Sequence, residues 1–83
     1  MTAERELTFG EKAAGVGFNV SNDTDVDQLK RHAANYIDYI NTLRQAAADT
    51  GQHQKARMYS LAITDVQTAQ MWAVKAVTWR HPE

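Results

Sequence analysis

The sequence predicts an all-α fold: a short N-terminal helix followed by a long antiparallel helical hairpin, assembled as a compact homo-oligomer. Three observations predict it. Through residues 25–48, apolar side chains recur at spacings of three and four, the period of a helix with one greasy stripe. Asp49-Thr50-Gly51 then interrupts that pattern with turn-forming residues,. Beyond the turn, RMYSLAITDVQTAQMWAVKA (residues 57–76) carries apolar residues on two faces rather than one. One face can be buried inside a hairpin. The second must meet something else, and a chain of 83 residues has little core of its own to offer, so further copies are the expected partner.

The elements follow in chain order. Thr8-Phe9-Gly10-Glu11 has capping-box spacing and predicts a short helix over about residues 9–14. GVGFNVSN, residues 15–22, reads as a loop whose glycines permit backbone angles that other residues resist. Thr24 precedes Asp25 and Asp27, which favour the positive end of a helix,. The first long helix is expected over about 25–48, with Val26, Leu29, Ala33, Tyr36, Ile40, Leu43 and Ala47 as its stripe. The second is expected over about 52–78, with Pro82 beyond its end,. Its inner stripe reads as Ala62, Val66, Ala69, Ala73 and Ala76, small residues that allow close helix approach. Leu61, Ile63, Met71, Trp72, Val74, Val77 and Trp79 fall largely off that stripe. Residues 1–83 make a single helical-hairpin domain, with no internal repeat or low-complexity tail.

Composition narrows the function. The formal charge is -1, which predicts no bulk attraction to nucleic acid or membrane. Duplex nucleic acid lacks a basic surface to bind. The charge is uneven: residues 1–24 sum to -2, residues 25–50 to -1 and residues 51–83 to +2. Cysteine is absent, so disulfides and thiolate sites are excluded. The polar N-terminus MTAERELTFGEK predicts no signal peptide,, and no apolar run reaches the length of a membrane span,. The default compartment is cytosolic.

Catalytic groups are sparse. His32, His53 and His81 are too scattered for a metal motif,, and no cofactor is predicted. Ser60 and Thr64 lie four apart on one helical face and read either as interface hydroxyls or as ligand donors, without a general base at fixed spacing. Asp65 has no partner for acid–base work and reads as a solvated or interface carboxylate. Gly10, Gly15 and Gly17 do not form a phosphate loop, lacking the strand before and the G-K-[ST] after,. Phe18 either plugs the hairpin or stacks on a base, and Asn19 could bond a base edge or a phosphate. Lys30 and Arg57 suit phosphates, yet a hairpin places them at opposite ends of one protomer, so they could meet only across a subunit boundary. His32 reads as a surface or interface residue that could also donate or stack. The tryptophans and Met71 read as interface packing.

Several of these pieces together resemble a known family. The Gly-Phe-Asn loop, the Val-Asp-Gln-Leu-Lys helix start, Ser-Leu-Ala-Ile-Thr and Met-Trp-Ala-x-Lys-Ala are similar to the hairpin of small phage proteins that sequester cyclic oligonucleotide messengers and so block the bacterial CBASS response. A related hairpin occurs in phage sponges for the cyclic ADP-ribose signals of Thoeris defence. The resemblance implies a non-enzymatic homohexamer in the host cytoplasm. It would bind cyclic dinucleotides such as cGAMP between subunits, and in some members cyclic trinucleotides at separate sites. Carried onto this chain, it implies Phe18 as the stacking aromatic, followed by Asn19, with Lys30 and Arg57 as phosphate contacts. His32 falls near a position where relatives have a threonine in the trinucleotide site. Ser60 and Thr64 are weaker candidates for site support. Relatives often have tyrosine where this chain has Phe18, so a hydroxyl is lost here. The alternatives are a sponge for cyclic ADP-ribose signals, a phage helical assembly protein with no small ligand, and a cyclic-nucleotide hydrolase, which lacks an evident base or metal set.

Overall fold

A computed structural model describes residues 6–19 and 22–80. Val20 and Ser21 of the expected loop, and His81 and Pro82, lie outside the described residues. Those described form three helices and no strand: α1 (Phe9–Ala14), α2 (Thr24–Asp49) and α3 (His53–Val77). The long pair α2 and α3 makes the hairpin, and α1 lies mainly on α2.

Local chemistry sets the ends. Thr8 caps α1: its hydroxyl accepts from the Glu11 N–H at 3.0 Å while the Glu11 carboxylate accepts from the Thr8 N–H at 2.8 Å. That reciprocal pair satisfies two donors the helix would otherwise leave open. Gly15, at φ 72°, closes α1 in the left-handed region, where a side chain is disfavoured. Asp23, rather than Thr24, caps α2, its carboxylate accepting from the Asp25 N–H at 2.8 Å. Asp25 and Asp27 then occupy the first turn, where negative charge meets the positive end of the helix dipole. At the hairpin turn Gly51 adopts φ 75°, the Gln52 N–H reaches the Ala47 carbonyl, and the Gly51 N–H reaches that of Ala48. This pattern satisfies the last carbonyls of α2 and reverses the chain.

The core is small and centred on α2. Ile37, fully buried, packs with Ile40 and Ile63, flanked by Ala13, Tyr59, Ala62 and Val66. A second cluster joins Ala14, Ala33 and Ala34 with Val16 and Val66. The expected α2 stripe needs correction. Val26, Ala33, Ile40 and Ala47 are buried, but Leu29 and Leu43 are half-buried and Tyr36 is 58 % exposed. Ile37, Ala34 and Lys30 are buried instead. The reason is that α2 serves two partners: α1 and α3 together cover a wider arc than one stripe describes, and that arc is centred on position 37. On α3, Ile63 belongs inside and not off the seam, while Ala69 and Ala76 are exposed. The branched Ile63 fills the space between Ile37 and Ile40, which an alanine stripe would leave empty.

α3 ends up nearly bare. Of its 25 residues only Ile63 is buried, and Met58, Leu61, Met71 and Trp72 stand exposed. Among the described residues α1 lies mainly on α2, so no further element covers that apolar surface of α3. Because so few residues carry the core, Ile37→Ala should cost about 2–5 kcal/mol. Urea unfolding at fixed protein concentration, followed by circular dichroism, checks this.

Candidate functional site

The loop leaving α1 turns sharply at Gly15 and Gly17, at φ 72° and 92°, and delivers Phe18 beside the first turns of α2. Backbone bonds shape it: the Val16 N–H reaches the Glu11 carbonyl and the Phe18 N–H reaches that of Gly15. Asn19 then ties it to the next helix. Its side-chain amide donates to the Asp23 carbonyl at 2.8 Å and the Asp27 carboxylate at 2.9 Å, and its oxygen accepts from the Asp23 N–H at 3.3 Å. Asn19 is therefore a staple of the loop, engaged with the protein's own backbone.

Lys30 is 9 % exposed, although its charge would ordinarily keep it in water,. Its ammonium donates to the Phe18 carbonyl oxygen and lies 5.4 Å from the centre of the Phe18 ring. The ring itself is 70 % exposed. Neither a carbonyl nor an aromatic face cancels a full positive charge, so the ammonium keeps attraction to spare for an anion. Arg31, next in the chain, has a half-exposed side chain and donates to the Glu11 carboxylate at 2.7 Å, deep against α1. Between loop and helix opens a cleft of about 340 Å³ lined by Val16, Gly17, Asp27, Gln28, Lys30 and Arg31. It joins two cations, the Asp27 carboxylate and the Gln28 carboxamide, with the exposed Phe18 ring beside Lys30: cations can hold phosphate, a carboxamide can bond a base edge and a ring can stack on a base.

Phe18, Asn19 and Lys30 thus come together, while four other expected site residues lie elsewhere in the protomer. His32 is exposed in a separate shallow groove between α2 and α3, beside Leu29, Tyr36, Val66 and Ala69. Arg57 is exposed in the first turns of α3, with Nε 3.4 Å from the Gln54 side-chain oxygen. Lys30 precedes the hairpin turn by some nineteen residues of α2, about 28 Å of helix, so the two cations sit at opposite ends. Ser60 accepts from Arg44 Nη1 across the hairpin at 3.3 Å, and the Thr64 hydroxyl bonds back to the Ser60 carbonyl at 3.3 Å; both are engaged within the hairpin itself. Sequence reasoning missed Arg31, Asp27 and Gln28. Their closeness to Lys30 on one helix end was the available signal, whereas the Glu11 partner of Arg31 is twenty residues away.

A second cleft, of about 380 Å³, lies at the far end of α3 between Trp72, Lys75, Ala76 and Trp79, where the Lys75 ammonium stands 5.9 Å from the Trp72 ring centre. Among the described residues no group of three His, Asp or Glu is placed to hold a metal ion, and no helix is long and apolar enough to cross a membrane.

Comparison with curated proteins and with solved structures returned no match. The family described as Acb2/Tad1, hairpin domain, matches over residues 11–78, a span that takes in Glu11, the loop, both cations of the cleft and all of the hairpin. The chain therefore belongs to the Acb2/Tad1 hairpin-domain family, the phage sponge proteins directed against CBASS and Thoeris defence.

Proposed function

We propose that this protein captures cyclic dinucleotides such as cGAMP, and cyclic trinucleotides at further sites, without cleaving them, and so keeps a CBASS effector in the host cytoplasm inactive. The family implies a sponge for cyclic nucleotide signals. The observation that carries the finer reading is the pairing of Phe18 and Lys30: an exposed aromatic face directly beside a buried ammonium that makes no salt bridge among the described residues. A cyclic dinucleotide presents two phosphates on one ring with bases to either side. Lys30 and Arg31 suit the phosphates, and Phe18 suits a base. Capture requires only ground-state affinity, with no transition state to stabilise.

The cleft, at about 340 Å³, lies at the small end of ligand pockets. A whole cyclic dinucleotide needs walls from a neighbouring copy. The exposed apolar side of α3, with Leu61, Met71 and Trp72, supports association into a homo-oligomer, which we take to be a hexamer. In such an assembly Arg57 of one protomer reaches the ligand held by Lys30 of the next, and His32, Ser60 and Thr64 line surfaces between subunits. The shared Acb2/Tad1 hairpin also supports a second reading, a sponge for cyclic ADP-ribose signals.

Native mass spectrometry with cGAMP, cyclic trinucleotides and cyclic ADP-ribose species decides among these. The expected result is an oligomer carrying ligands that survive intact after denaturation; progressive hydrolysis would overturn the sponge reading. Lys30→Ala should weaken cGAMP binding by about 10–100-fold, the loss of one charge-assisted contact, with the assembly mass unchanged. Arg57→Ala should weaken it in the oligomer as well, and unaltered affinity would remove Arg57 from the site. Trp72→Glu should shift the assembly toward smaller species, read by the same spectrometer.

A further inference from the structure

We infer that Asp38 is a positioning residue for the ligand loop, acting on Phe18 through α1 without touching ligand; the inference rests on the sponge reading for its functional consequence. The helix that carries the loop, α1, has six residues, whereas isolated helices shorter than about 12–15 residues are marginal in water. Its shape therefore depends on outside anchors. Asp38, on α2, supplies two at its N-terminus. One carboxylate oxygen accepts from the Gly10 N–H at 2.7 Å, and the other accepts from the Thr8 hydroxyl at 2.8 Å. Both are charge-assisted bonds placed at the positive end of the helix dipole. The second also orients the capping group: with its proton committed to Asp38, the Thr8 oxygen presents a lone pair to the Glu11 N–H at 3.0 Å. The carboxylate stands where a side chain on residue 10 would go, since a Cβ there would lie 2.8 Å from the Asp38 carboxyl carbon.

From Asp38 the path to the loop is short and rigid. α1 ends at Gly15, the Val16 N–H is held by the Glu11 carbonyl at 2.9 Å, and the Phe18 N–H by that of Gly15 at 3.1 Å. Asp38 does not line the cleft. It is eight residues beyond Lys30, about 12 Å along α2, out of reach of a ligand there. The isoleucine cluster takes most of its packing from α2 and α3, with Ala13 at the far end of α1 on its edge, so the N-terminus of α1 can loosen while the hairpin stays folded.

Asp38→Ala, Asp38→Asn and Thr8→Val, compared with the wild-type oligomer, test this by calorimetry with cGAMP and by amide hydrogen exchange. Asp38→Ala should weaken cGAMP binding about tenfold and speed exchange at Val16 and Phe18, while amides around Ile37 and Ile63 keep their protection. Asp38→Asn retains an oxygen for the Gly10 N–H and should recover part of both losses; Thr8→Val removes the hydroxyl's bond to Asp38 together with its cap on the Glu11 N–H and should also speed exchange at Val16 and Phe18. Unchanged loop exchange in Asp38→Ala would overturn the inference. So would equal loss of protection across loop and hairpin, or an Asn variant no better than Ala. If wild-type protein bound no cyclic nucleotide, the sponge reading would fail while the exchange pattern still decided whether Asp38 sets the loop.

Discussion

The distance between α1 and α2 governs the N-terminal half of this protein. A Cβ at Gly10 would stand 2.1 Å from the Ala34 carbonyl oxygen, so only a glycine lets the two backbones approach this closely. That approach buries Ala14 against Ala33 and Ala34. It also brings the α1 N-terminus onto a carboxylate of α2 and puts Glu11 in reach of Arg31. Close helix contact and directional polar bonds reinforce one another here: small residues permit the approach, and charge fixes the register. The loop after α1 inherits its position from both.

Charge is distributed with the same logic. Glu11 is nearly fully buried, yet its oxygens are met by the Thr8 N–H and the Arg31 guanidinium, so the cost of removing that carboxylate from water is offset locally. Lys30 is also buried but has been given a neutral carbonyl and an aromatic ring. Two adjacent cations on one helix turn therefore differ in kind. Arg31 holds the scaffold together, and Lys30 faces the cleft with charge left to offer. Gln67 of α3 adds a third anchor by donating to the Ala13 carbonyl at 3.0 Å, tying the short helix to both arms of the hairpin.

Much of this was legible in the sequence, for local reasons. The capping box at Thr8 and Glu11, the Asp49-Thr50-Gly51 turn and the three-and-four spacing are short-range signals, and they mark all three helices. The centre of the core was less legible. Tyr36 and Ile37 are adjacent, and only the arrival of α1 and α3 together on α2 decides that the isoleucine goes in. Ile63 was hidden for a related reason, since the alanines around it advertise a seam that its own bulk then displaces. In the candidate site, Phe18, Asn19 and Lys30 were visible as residue types. That Asn19 is spent on stapling the loop, and that Arg31 is anchored to Glu11, depends on contacts between residues far apart in the chain.

The way the loop is fastened has a consequence for how the protein can change. Lys30 grips the carbonyl of Phe18, an atom that every amino acid possesses, and Asn19 and Gly15 secure the two flanks by contacts that do not involve the ring. The aromatic group, 70 % exposed, meets the scaffold chiefly through the Lys30 ammonium. A single nucleotide change could exchange it for tyrosine or leucine without disturbing folding. Residue 18 can thus vary in its side chain while the architecture beneath stays constant.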